Sequence, residues 1–385
     1  MFSRFLILSL ACSSIRSLGR SVTKAATRCL PALAVFGALS VSAQTPANVT
    51  NPATIAVLLP GADSPLSNAA DAVRRGILAA NAASGAPATI QMIDLSVGAD
   101  PIAALGAAAT LGATVAIGPL SRTDVGLLAQ QPYLPLPVVA LNIPFTAVGL
   151  PEALVLMGLP AEDEARRVVR IALAEFAGKR PGPSVAPRFL VVEADAPLEH
   201  RIAQAYVDAL AAAGEHSTRL VVQTDKLESL RRQAESGKYE AVFLALDARA
   251  AALVRPRLPR EAFVFATALA NPGNIKTSAD AATLAQDLDG LRFVDAPWLI
   301  EPDHPALAGV ARAKLPLPAD EERLYALGID AYRVALEWSL GRPRFEIEGA
   351  TGHLVLDRLR SARVERTPFS AVLRNGEIER ENFAH

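Results

Sequence analysis

The chain has 385 residues, of which 51% are hydrophobic, 20% charged and 5% aromatic, with a formal net charge of −1. That hydrophobic fraction excludes a disordered protein, and the length predicts about two domains or lobes at roughly 150 residues each. The balanced charge offers no basic excess for nucleic acid, and two cysteines build neither a disulfide framework nor a multi-cysteine zinc site.

Residues 1–43 carry Arg4, Arg16, Arg20, Lys24 and Arg28 and no acidic residue, and an apolar run from Leu30 to Leu39 leads to Val41-Ser42-Ala43. This pattern predicts a secretory signal peptide cleaved near Ala43, then a flexible leader over 44–53. The run falls short of the roughly 20 residues of a spanning helix. Cys12 follows Leu8-Ser9-Leu10-Ala11, with Ser9 where a lipobox has leucine, so a periplasmic protein is expected rather than one with an outer-membrane lipid anchor. Loss of five positive charges takes the net charge from −1 to −6.

Short apolar strands are predicted at Thr54–Leu59, Ala88–Asp94, Thr114–Ile117 and Val138–Leu141, separated by helices over Leu66–Ala83, Asp100–Leu111 and Ser121–Gln130. Such alternation is the pattern of βαβ units in a parallel sheet. Pro144, Pro151 and Pro160 interrupt it, and this segment is read as a crossing between lobes. The rhythm resumes with helices from Pro160, Leu198 and Leu227 and strands at Phe189, Thr218, Ala241 and Phe263. Beyond residue 267 a strand at Leu291–Val294, a helix over Ala319–Leu340 and strands at His353–Leu356 and Ser370–Leu373 are expected. The lobes are accordingly drawn as 54–143 plus about 291–385, and 144–290.

Catalytic signatures are not visible. His200, His216, His304, His353 and His385 form no H-x-x-x-H pair, and neither a G-x-S-x-G elbow nor a glycine-rich phosphate loop occurs. No cofactor or metal is expected. In open parallel sheets, ligands bind beyond the carboxyl ends of strands. Those positions hold Asp63, Ser64, Ser121, Asn142, Glu193, Asp195 and Asp247. A small polar ligand between the lobes is one reading of Asp63, Ser64, Ser121, Asn142, Asp195 and Asp247. Simple helix capping is the other reading for Asp63, Ser64 and Ser121. Trp298 is taken either as an exposed partner anchor or as a wedge in the core.

The run Asp287-Leu288-Asp289-Gly290-Leu291-Arg292-Phe293-Val294-Asp295-Ala296-Pro297-Trp298-Leu299 resembles the D-x-D-G-x-x-F-x-D-x-P-W-L stretch of the LppC/LpoA family. Further similarity lies in Ile55–Pro60, Ile117–Leu120, Ala140–Asn142, Pro160–Arg166 and Leu324–Tyr332, in the family's order and over nearly all of 54–357. The resemblance implies an α/β, two-lobe type I periplasmic-binding-protein-like fold and a role without catalysis. It also implies, as partner, a class A penicillin-binding protein whose peptidoglycan synthesis is stimulated. Longer members carry an N-terminal helical-repeat domain. A periplasmic receptor for an amino acid or similar solute is the alternative.

Overall fold

A computed structural model describes residues 53–176, 189–223, 227–237, 239–273, 276 and 278–381. The expected signal peptide, nearly all of the leader and His385 lie outside the described residues. Everything described falls within one compact unit, 51–385.

The first half runs β1 (Thr54–Pro60), α1 (Ser67–Ala83), β2 (Thr89–Leu95), α2 (Pro101–Thr110), β3 (Val115–Ile117), α3 (Arg122–Ala129), β4 (Val138–Ala140) and β5 (Leu154–Leu156). These strands form a parallel sheet in the order β2-β1-β3-β4-β5. Ile55 to Leu59 are all at most 1% exposed, as expected for a strand covered on both faces by helices. Gly118 closes β3 with φ of +103°, and a Cβ there would collide with the Leu58 carbonyl, so only glycine fits.

The chain then continues through α4 (Ala161–Phe176), β6 (Phe189–Glu193), α5 (Pro197–Ala212), β7 (Ser217–Val221), α6 (Leu227–Gly237), β8 (Ala241–Ala245), α7 (Ala248–Val254), β9 (Phe263–Ala266), α8 (Ala279–Asp287), β10 (Leu291–Asp295) and α9 (Pro297–Ile300). After α10 (Ala319–Ser339) come β11 (Arg344–Glu348), β12 (His353–Asp357), β13 (Glu365–Thr367), β14 (Phe369–Arg374) and β15 (Glu377–Glu381). The second sheet has the order β15-β14-β10-β9-β8-β6-β7, parallel except for β14 and β15 at one edge. A small antiparallel sheet, β11-β12-β13, adds Leu354 and Leu356 to the core of the first lobe.

The lobe boundaries differ from those drawn on the sequence. The crossing comes after β5, because Leu154–Leu156 add a fifth strand to the first sheet within the proline-bearing segment. β10, β14 and β15 belong to the second sheet, because β10 pairs in parallel with β9 and β14 pairs antiparallel with β10. The chain thus crosses three times, after β5, after β10 and between β13 and β14, giving a three-stranded hinge.

α10 returns to the first lobe and packs on α1. A Cβ on Gly76 would run into the Tyr325 carbonyl, and one on Gly328 into the Val73 carbonyl. Two facing glycines therefore let the helix backbones touch. Asp330, fully buried on α10, accepts hydrogen bonds from the Ala350 and Thr351 amides and the Thr351 hydroxyl, each at 2.7 Å. It thereby clamps the β11–β12 turn, and burial pushes its carboxyl above the usual range despite Arg333 and these donors.

Candidate inter-lobe site

A cleft of about 340 Å³ lies between the lobes. Leu120, Leu141 and Asn142 line it from the first sheet's strand ends, Leu198 and Arg201 from the start of α5, and Leu324 and Leu327 from α10. The α4 start contributes Glu162 and Glu164. Acidic residues favour this end of a helix, where the peptide dipoles present positive charge.

Two ion pairs cross the cleft floor. Arg323 of α10 grips Asp295, at the end of β10, through Nε at 2.9 Å and Nη2 at 2.8 Å. Its Nη2 also donates to the Ala268 carbonyl at 2.7 Å. Arg366 of β13 donates to Glu164 of α4 at 3.0 Å, and Glu164 accepts the Ala268 amide at 3.2 Å. Both polar groups of one residue in the second lobe are thus held, one by a first-lobe arginine and the other by a carboxylate that a first-lobe arginine binds. Asn271 completes the arrangement, donating to Asp295 at 2.6 Å.

Burial and pairing oppose one another in the electrostatics here. Burial pushes the Glu164 carboxyl up, with Arg366 opposing and Asp295 adding to the shift. Burial also works against the Arg323 charge, but Asp295 outweighs it and raises the guanidinium well above its ordinary value. At the α5 side, Arg201 donates to Glu162 at 2.9 Å, so this pair too is neutralised internally.

The residues singled out on the sequence are mostly occupied with their own backbone. Ser121 caps α3, accepting the Asp124 amide at 3.0 Å and donating to Asp124 at 2.6 Å. Asp247 caps α7 through the Ala250 amide at 2.7 Å. Asp63 accepts from Val97, and Ser64 from Leu66. Asn142 does line the cleft, yet its amide donates to the Leu120 carbonyl and its oxygen accepts from Ile143. Asp195 is exposed and lies 3.0 Å from His200 Nε2. His200 Nδ1 stands 2.8 Å from buried Glu193, which Arg219 also binds. Hydrogen bonds to Glu193 and Asp195 raise the imidazole pKa above its usual value. Of the six candidates, Asn142 alone borders the cleft.

Trp298 is not an exposed anchor. It is 1% exposed, stacks on Tyr325 with ring centroids 5.3 Å apart, and donates from Nε1 to Glu322 at 2.6 Å. The short α9 turns its ring into the first lobe's core, where a large aromatic removes the most apolar surface from water. Arg323, Asp295, Glu164 and Arg366 escaped notice as a site because their partners lie far apart in sequence. Asp295 alone carried a usable signal, as the residue closing an apolar strand.

Among the described residues, no group of three or more His, Cys, Asp or Glu side chains is placed to hold a metal ion. Nor is any helix among them long and apolar enough to cross a membrane.

The family model described as "LppC putative lipoprotein" matches residues 36–188 and 204–370. The chain belongs to the LppC family. A similar curated protein is "Penicillin-binding protein activator LpoA" of Yersinia pseudotuberculosis, 29% identical over 303 residues, covering 66% of this chain and 44% of that protein. The LppC-family chain thus spans less than half the length of the curated relatives it matches. Among solved structures, a "putative branched-chain amino acid ABC transporter" from Chromobacterium violaceum is 32% identical, with a TM-score of 0.70 over 83% of this chain and 99% of that one. The LpoA C-domain from Haemophilus influenzae, described as "a regulator of PBP1A", is 19% identical, with a TM-score of 0.64 over 86% of this chain and 100% of that one. The two-lobe, type I periplasmic-binding-protein-like architecture expected from the sequence is the observed one.

Proposed function

We propose that this chain is a non-catalytic, periplasmic regulator of a class A penicillin-binding protein in peptidoglycan synthesis. Membership of the LppC family and similarity to proteins named as activators support the reading. The observation that carries it is the state of the cleft, whose carboxylates are all paired with arginines, while its remaining arginine, Arg122, lies over the Phe145 ring. Arg323 holds Asp295, Arg366 holds Glu164, and Arg201 holds Glu162. A receptor for a zwitterion would keep a cation and an anion free for the ligand, because unpaired buried charges give recognition its energy and its specificity. Here the Arg323–Asp295 and Arg366–Glu164 pairs act as a lock between lobes, and binding to the synthase falls to the outer surface.

A second reading is favoured by one finding, the 32% identity to a transporter-associated protein of matching length. The leucine-rich cleft walls suit a branched apolar side chain. Pull-down of the purified protein with class A penicillin-binding proteins, each assayed for glycan polymerisation with and without it, separates the two. Binding with stimulation is the expected outcome. Failure of both, together with a melting-temperature rise in leucine, isoleucine or valine, would replace the regulator reading with the receptor.

A further inference from the structure

A second groove, of about 320 Å³, meets the cleft at Pro160 and Glu164 and runs between α4 and the segment around β13. Five arginines line it: Arg166, Arg167 and Arg170 from α4, and Arg363 and Arg366 from the other wall. Three acids face them, Asp163, Glu164 and Glu365. Asp163 is taken by both Arg166 and Arg363, and Glu164 by Arg366.

That leaves the side chains of half-buried Arg167 and exposed Arg170 without a hydrogen bond or ion pair to any described residue. Three residues apart, they sit on one face of α4. Arg167 is half-buried, and its Nε is shut off from solvent with no hydrogen-bond partner. Burial lowers its pKa, and the nearby Arg170 and Arg366 charges lower it further. Proteins rarely leave a guanidinium desolvated beside two like charges, because its hydration is lost and nothing replaces it. The vacant forks are of the kind that grips oxyanions through paired N–H bonds.

We propose that this groove binds a phosphate-bearing anion, with Arg167 and Arg170 as the principal ligands and Arg366 at its edge. A tetrahedral dianion has acceptor oxygens pointing several ways, so it can meet both α4 forks and the edge of Arg366 at once, whereas a planar carboxylate is satisfied by a single fork. The Ser361 and Thr367 hydroxyls lie along the same groove for additional bonds.

The test is calorimetric titration of the full chain with inorganic pyrophosphate, inorganic phosphate and succinate at fixed ionic strength, repeated on Arg167→Gln/Arg170→Gln. Sedimentation with phosphatidic acid vesicles against phosphatidylcholine vesicles runs beside it. Circular dichroism and melting temperature verify that the variant folds. Expected is binding of pyrophosphate in preference to succinate, weakened at least about tenfold in the variant. Binding of the acidic vesicles in addition, lost in the same variant, would assign the phosphate to a lipid headgroup. The proposal is overturned if neither phosphate ion nor acidic vesicle binds, if succinate binds as tightly, or if the folded variant retains full affinity.

Discussion

Two grooves meet at Glu164, and they differ in how their charges are partnered. In the cleft, Arg323 finds Asp295, the Ala268 carbonyl and Asp320, so every nitrogen of its guanidinium has an acceptor. In the groove beside β13, Arg167 and Arg170 find neither carboxylate nor carbonyl among the described residues. Arginine in the first setting fixes the position of one lobe on the other. In the second it costs stability and stands ready for an anion. The same residue type is structural or recognitional according to what the fold places opposite it.

The largest expected effect breaks the paired side. Arg323→Ala strands Asp295, which is 1% exposed, and should destabilise by about 3–5 kcal/mol in chemical denaturation. Replacing both partners, as Arg323→Met with Asp295→Leu, should recover most of that loss, because no buried charge is then left alone. If the single and double variants are equally damaged, the pair is not the lock.

Gly328→Ala provides the contrast within one lobe. It forces α1 and α10 apart without touching the arginine groove beside β13, and overpacking of this kind costs about 1–3 kcal/mol. Since no partner is lost, the groove's anion affinity should survive wherever the protein remains folded. Glu164 links the two sides through pH. Its folded-state pKa is raised, so the folded protein holds the proton more tightly than the unfolded chain. Its contribution to stability is therefore full below its unfolded value and is lost as pH rises through the folded value. The gap between the wild-type protein and Glu164→Gln in a melting series should narrow as pH increases above the ordinary glutamate range. A gap that widens instead would mean that the Arg366 pairing outweighs burial.

Most of the strands were legible in the sequence, because Ile55–Leu59, Phe189–Val192 and Ala241–Ala245 are continuous apolar runs punctuated by turn residues. The missed strands had weaker signals. β5 has three residues amid prolines, and β11 alternates as Arg344-Phe345-Glu346-Ile347-Glu348, with two apolar residues to mark it. Lobe membership was less readable, since β10 and β14 are assigned by pairing partners far away in the chain. The ion pairs were least readable of all. Arg366 lies 202 residues from Glu164, and no local pattern announces such a partner. Trp298 stayed open between surface and core for a related reason, as a proline-bearing segment looks exposed until a distant helix covers it.

The smallest effect sharpens the unpaired side. Arg167→Gln removes a charge that has no partner and is repelled by Arg170 and Arg366. The lost stem packing and the relieved repulsion oppose one another, so stability should change by no more than about 0.5 kcal/mol, or rise slightly. Paired against Arg323→Ala in the same denaturation experiment, it measures the difference between the grooves directly. A loss comparable to that of Arg323→Ala would show that Arg167 has a structural partner and that the two grooves do not differ in this way. A neutral or stabilising change, with anion binding lost, would mean that the fold bears an unfavourable charge for the sake of its ligand.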